Sequence, residues 1–325
     1  MLPLIARGLL RTPALIAPAI AQAFSAVQFD LSFLLTDKAC DDIISSLIDI
    51  LKIDGSRDNA CAIFEALATQ SSDPAATKRL LFSLSDIFSK KGVSPPHQRL
   101  AHACALSSVV RCKPAGIAKH AAEIAPVIAA ATARENNDDA LTAMLTLCVR
   151  VSAYAGALDD NSSKAVKTAI LSASATVRQS LWRALLECSE NSSAALLTTI
   201  VPHFQAAIES AVTKPALRGD GAAALAVISN LSVFEPAAAA ALKAMNSQVL
   251  KRGGFLADLL ENFPSSYEVE TAVQAAESLL LKNTSGVDLT ACLPTLLQVS
   301  IALFRFPLFT HTFSGCCLRP NTSTL

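Results

Sequence analysis

Glycine is scarce in this chain, at 11 of 325 residues, and strand-like alternation of polar and apolar residues is hard to find. Aromatic residues make up only 5% although apolar residues reach 52%, so Ala, Leu, Ile and Val carry the apolar excess. These features point to an all-α protein of closely packed helices. Charge of one sign is missing too. Lys plus Arg equals Asp plus Glu at 27 each, without the basic excess that strong non-specific attraction to nucleic acid requires. The pairs Lys90-Lys91 and Lys251-Arg252 sit beside glycines and read as solvated loop ends. No apolar run reaches the ~18 residues of a membrane span, because Lys119, His120 and Glu123 interrupt the best one. The nine cysteines show no pair at zinc-site spacing, and Cys316-Cys317 are vicinal. Seven of them (Cys40, Cys61, Cys104, Cys112, Cys148, Cys188, Cys292) fall in or beside apolar stripes, as buried thiols of a reducing compartment do. No catalytic motif, cofactor fingerprint or metal-ligand spacing stands out, so the expectations are no enzyme, no cofactor, no metal, no small-molecule substrate, no DNA and no membrane.

What is present is a repeated helical stripe. Ile43, Leu47, Ile50 and Leu51 stand at offsets 0, 4, 7 and 8, and so do Leu80, Leu84, Ile87 and Phe88. Ala60, Ile63, Phe64 and Leu67 stand at 0, 3, 4 and 7, as do Leu141, Met144, Leu145 and Cys148. Each set lines one face of a helix. Further stripes run through Val177, Leu181, Ala184, Leu185 and Cys188; Leu197, Val201, Phe204 and Ile208; Ala224, Val227, Ile228 and Leu231; Val269, Val273, Ala276 and Leu280; and Leu289, Leu293, Leu296 and Leu297. Asp73-Pro74, Pro95-Pro96 and Pro114 read as helix starts, since the first helical position tolerates a missing N–H. Asn136 to Asp139 and Asp159 to Asn161 read as polar turns, and Gly253-Gly254 as a stop for a helix begun near Pro236.

These breaks delimit about six or seven helix hairpins, over residues 41–69, 73–111, 115–155, 161–189, 192–233, 235–263 and 266–304. Units of about 30 to 45 residues fit HEAT or armadillo repeats, and the aromatic and glycine signature of tetratricopeptide units is absent. The expected architecture is an α-solenoid over residues 1–303, uncapped at both ends, followed by a non-repeat tail over residues 304–325. The tail gathers Phe304, Phe306, Phe309 and Phe313, four of the 14 phenylalanines. It reads as a disordered or non-homologous extension of a piece of a longer solenoid. Met1 to Phe29 has Arg7 and Arg11 but no acidic residue. It suits either a targeting segment or two further scaffold helices, Leu2–Leu10 and Ala14–Val27.

The stretch Leu2–Leu35, LPLIARGLLRTPALIAPAIAQAFSAVQFDLSFLL, resembles part of the N-terminal HEAT array of the general control non-derepressible family of translational activators. Val177–Ser189, Leu196–Ile208 and Gly221–Leu231 resemble later elements of that array in the same order, so the similarity extends to Leu303. The resemblance implies a non-enzymatic, cytoplasmic co-activator that associates with stalled or collided ribosomes. In that family it helps activate the kinase phosphorylating the alpha subunit of initiation factor two during amino acid starvation. The kinase-binding region and the elongation-factor-like segment of the family are not found in this sequence, which leaves ribosome contact as the share implied for this chain. The balanced charge favours contact through ribosomal proteins over extensive rRNA binding. A HEAT or armadillo adaptor in trafficking or nuclear transport, binding peptide or helical cargo, is the alternative.

For an interaction site the sequence offers Arg178 and Arg183 around Trp182, the single tryptophan, because Trp and Arg are enriched at hot spots. The competing reading tucks Trp182 against the neighbouring repeat and leaves its arginines solvated. His97 and His102 are five apart, not the four that would place two ligands on one helical face. Gly219-Asp220-Gly221 follows no strand and reads as a loop before a helix. Cys188 reads as core, since its acidic neighbours Glu187 and Glu190 discourage a thiolate.

Overall fold

The computed structural model describes residues 11, 13–26, 30–36, 41–53, 55–89, 94–112, 116–155, 160–172, 174–190, 201–233, 236–249, 259 and 265–281. Every regular element among them is helical. The chain divides into two compact units, Met1–Ala207 and Ile208–Leu325. The expected helix Leu2–Leu10, the stop at Gly253-Gly254, the stripe from Leu289 to Leu297 and the tail 304–325 lie outside the described residues.

The first unit begins with α1 (Pro13–Ala26), the single turn α2 (Phe33–Thr36), α3 (Asp41–Leu51) and α4 (Arg57–Thr69). It continues through α5 (Pro74–Ser89), α6 (Pro96–Arg111), α7 (Ile117–Thr132), α8 (Asp138–Ala155), α9 (Asp160–Ser172) and α10 (Ala175–Glu190). The helix starts follow from local chemistry. Asp73 Oδ1 accepts the Ala75 N–H at 2.8 Å ahead of α5, and Asn137 Oδ1 accepts the Ala140 N–H at 3.0 Å ahead of α8, the usual N-cap exchange. Pro96 occupies the first turn of α6. The start of α7 falls later than Pro114 suggested: Gly116, at φ 75°, precedes Ile117 in a left-handed conformation natural to glycine.

Alternate helices stack on each other. α4 packs on α6, α6 on α8 and α8 on α10, while α2 packs on α5, α5 on α7 and α7 on α9. One apolar cluster runs through this stack from Ala17 to Val151. The stripes in α3, α4 and α10 are buried at every named position. Each large aliphatic or phenylalanine side chain so buried contributes about 1.5–3 kcal/mol by removal from water.

Apolar burial is non-directional, and directional polar links join the same stack. Arg150, on α8, donates through Nη1 to Ser107 Oγ on α6 and through Nη2 to Glu187 Oε2 on α10, both at 2.5 Å. Arg111 of α6 reaches Glu65 of α4 at 2.9 Å. Arg99 binds the buried Glu135 carboxylate through Nε and Nη2, and Glu135 Oε1 also accepts the Asn136 and Asn137 N–H groups. The Arg99 pair and these amides hold the Glu135 carboxyl below its ordinary value, against the opposing effect of burial. At the start of the unit, Asp30 accepts the hydroxyls and backbone N–H groups of both Ser32 and Ser72.

α11 (Val201–Thr213) crosses from the first unit into the second. In the second unit, a 3-10 turn at Pro215–Leu217 leads into α12 (Arg218–Leu231), which packs against α13 (Pro236–Val249) and α14 (Ser266–Leu281). Every residue from Gly219 to Leu231 is buried.

Two expectations fail in this unit. Gly219-Asp220-Gly221 is not a loop but the first turn of α12, because the 3-10 turn already redirects the chain before Arg218. A Cβ at Gly219 would lie 2.7 Å from the Tyr267 ring, so glycine there permits close approach of α14. The Val269, Val273, Ala276 and Leu280 stripe is also rotated. Ala276 is buried and Val269 and Val273 are half-buried, but Leu280 is 45% exposed, and α14 also buries Glu268, Thr271, Ala272, Ala275, Ser278 and Leu279. Small residues and a buried carboxylate make that contact face, which a count of large apolar residues passes over.

Candidate functional site

The sequence placed its interaction site on α10. Trp182 is only 1% exposed and packs against Phe204, with ring centroids 5.5 Å apart and planes tilted by 55°. The indole therefore presents no surface to a partner. Its Nε1 is buried and makes no hydrogen bond among the described residues. Arg183 is exposed and Arg178 half-buried, so a contact surface on α10 would consist of guanidinium groups without the aromatic anchor.

Nor do the remaining titratable side chains among the described residues gather into a centre. His97 is exposed and His102 buried on α6, where His102 Nδ1 lies 3.0 Å from the Leu84 carbonyl oxygen. His203 is pushed below its ordinary value by burial and by Lys167. Among the described residues no group of three or more His, Cys, Asp or Glu side chains is placed to hold a metal ion. The described cysteines are thiols, with Cys148 and Cys188 buried and Cys61, Cys104 and Cys112 half-buried. Burial pushes Cys188 up to about 12, with the charge of Glu187 acting in the same direction. Burial likewise pushes Cys61 up to about 12, helped by the neighbouring Cys104. Thiols held so far from ionisation are poor nucleophiles.

The first unit does carry a concave surface that the sequence reading missed. A groove of about 590 Å³ runs across α3, α5 and α7. Ile44, Ser45 and Ile48 form its α3 wall, while Glu123, Ile124 and Val127 form its α7 wall. Between them α5 presents Phe82, Asp86 and a set of serines that includes Ser83 and Ser89. Ile44 and Ile124 are buried and make the floor, whereas Phe82 is 37% exposed. Phe82 is held from two sides: Lys78 Nζ lies 5.5 Å from its ring centroid, and the His120 ring meets it edge-on at 6.3 Å. His120 is itself buried, with Nδ1 3.6 Å from Glu123 Oε1. Among the described lining residues the only charged side chains are the carboxylates Asp86 and Glu123.

A signal for this groove exists in the sequence. Lys78, Phe82, Asp86 and Ser89 follow one helical row on the side of α5 away from the Leu80, Leu84 and Phe88 core face. A phenylalanine in an otherwise polar row is the anomaly.

Residues 1–92 match the family described as stalled ribosome sensor GCN1 N-terminal. The matched span reaches just beyond α5, so it contains the α3 and α5 walls of the groove and stops short of the α7 wall. No curated protein matches the chain. No helix among the described residues is long and apolar enough to cross a membrane.

Proposed function

We propose, from the match of its first 92 residues to the N-terminal family of the stalled ribosome sensor, that this chain is a ribosome-associated scaffold of the translation-stress response. That match carries the reading. The all-helical fold and the stacking of alternate helices in the first unit support it, because a stack whose neighbours share one core is how HEAT-type solenoids offer extended binding surfaces. On this reading the chain works in the cytoplasm, without catalysis, as six or seven hairpins and touches stalled or collided ribosomes through ribosomal proteins. Its share in activating the kinase of the initiation factor two alpha subunit is indirect, through ribosome contact, since the family's kinase-binding region is not found in this sequence. Zero net charge supports protein contact over broad rRNA contact.

The test is sedimentation of the full chain with purified ribosomes in sucrose gradients, comparing monosomes with nuclease-resistant collided ribosomes. Co-migration enriched on the collided species is expected. A chain that stays at the top of the gradient with both, at physiological salt, overturns the reading.

A further inference from the structure

We propose that the groove across α3, α5 and α7 is a docking site for an amphipathic cationic helix of a protein partner. Such a helix would place an apolar edge on Ile48, Phe82 and Val127, with Lys or Arg side chains reaching Asp86 and Glu123.

Three observations lead to this occupant. The first is the aromatic anchor: Phe82 is exposed yet fixed between the Lys78 ammonium and the His120 ring, so little freedom remains to be lost when a partner covers it. The second is shape. Three packed helices leave an open trough with an apolar floor, the form that receives side chains at helical spacing from a partner helix. The third is charge. Among the described lining residues both charged side chains are carboxylates, and the Lys78 ammonium on the same row of α5 lies over the Phe82 ring. Carboxylates repel nucleic-acid phosphates and acidic peptides and attract Lys and Arg, so the surface favours a basic protein segment over RNA. The serines along α5 add hydroxyls that can bond to the polar edge of such a helix. The inference rests on the ribosome reading only for the source of the partner, a basic ribosomal protein segment; the chemistry of the groove does not depend on it.

The test is a charge swap on the full chain. Fluorescence anisotropy follows a labelled lysine/leucine amphipathic peptide of about four turns and its glutamate/leucine counterpart. The lysine peptide is expected to bind the unaltered chain. The double variant Asp86→Lys, Glu123→Lys is expected to weaken that binding roughly tenfold or more and to gain affinity for the glutamate peptide. Phe82→Ala should weaken both pairings by roughly tenfold. All three positions lie on the surface, and circular dichroism verifies that helix content is kept. Equal binding of the lysine peptide to the unaltered and swapped chains, or tight binding of the glutamate peptide to the unaltered chain, overturns the inference.

A photo-cross-linking amino acid at Ser83, with ribosomes as the probe, provides the second arm. Cross-links to a Lys/Arg-rich ribosomal protein segment support the site, and cross-links to rRNA overturn it. The two readings fail separately. A successful charge swap in a chain that never sediments with ribosomes leaves the groove standing and removes the ribosome role. Undiminished sedimentation of the swapped variant, together with no peptide binding, does the reverse.

Discussion

Trp182→Ala separates core from interface at the one residue where the sequence read them as rivals. The indole is fully buried against Phe204. A tryptophan buries roughly 200 Å², which at about 25 cal/mol per Å² corresponds to about 5 kcal/mol. Alanine keeps a small part of this. Removing a buried Nε1–H that has no partner among the described residues returns about 1–3 kcal/mol. The expected net loss is therefore about 3 kcal/mol, within the range for large-to-small aromatic substitutions. Trp182→Phe keeps a ring against Phe204 and also removes the unpaired donor, so its loss should stay below about 1.5 kcal/mol. Urea titrations followed by far-ultraviolet circular dichroism measure both, since a stack of repeats loses helix where neighbours uncouple. Arg183→Glu, on the exposed side of α10, serves as the surface control and should cost less than Trp182→Ala, because a charged contact at an exposed side chain is worth at most about 1 kcal/mol. The reasoning is refuted if Trp182→Ala keeps wild-type stability while ribosome co-sedimentation is lost. That pattern belongs to an exposed anchor, not to a core indole.

In the second unit, Gly219→Ala should destabilise by about 1–3 kcal/mol despite the ~1 kcal/mol helix preference of alanine, because the new methyl meets the Tyr267 ring. Thermal melts check the sign, and combining it with Tyr267→Ala should recover part of the loss. Asp30 is held well below the ordinary aspartate range, first by the Ser32 hydroxyl, then by the Ser72 hydroxyl and the Ser32 amide. A depressed carboxyl stabilises fully above its unfolded value, near ~4, and that share declines below it until pH has fallen through the folded value. Asp30→Asn should therefore lower the melting temperature at neutral pH, with the difference shrinking as the buffer is taken below pH ~4. Alkylation by iodoacetamide at neutral pH, read by peptide mass spectrometry, should spare Cys61 and Cys188 in the folded chain and label them after denaturation, since burial holds both thiols near 12.

The helices of the first unit were largely legible because their burial pattern is one-sided. Ile43, Leu47, Ile50 and Leu51 all face inward, and a stripe of branched side chains at helical spacing has one way to leave water. Asp73 and Asn137 were legible because a short acceptor side chain before a helix has a specific donor to satisfy. Legibility ends where packing depends on what is small or shared. The α14 face mixes three alanines with Thr271, Ser278, Glu268 and a single leucine, Leu279, and its fit depends on a glycine in α12. No periodicity within either helix announces that pairing. The short turn α2 also escaped, being too brief to show a stripe. The groove was missed for a related reason. Its walls are three helices separated in sequence, and within α5 alone Phe82 looks like an irregularity, not the centre of a surface.

The polar links carry a periodicity that stripe counting does not reveal. Asp30 to Ser72, Arg79 to the Leu35 carbonyl, Glu65 to Arg111, Ser107 to Arg150 and Arg150 to Glu187 join positions 42, 44, 46, 43 and 37 apart. Each separation is about one hairpin. Faces of Ala, Leu and Val can slide by a turn with little change in buried area, whereas a guanidinium bound to two neighbours cannot, since a shift of one turn (~5.4 Å) breaks both bonds. Arg150 therefore locks α6, α8 and α10 in register, while the more exposed Arg111–Glu65 pair adds a single, weaker link between α4 and α6. The groove helices α3, α5 and α7 lie outside these links except for Arg79 of α5, which donates to the Leu35 carbonyl of α2, so their mutual register rests on the apolar cluster that they share.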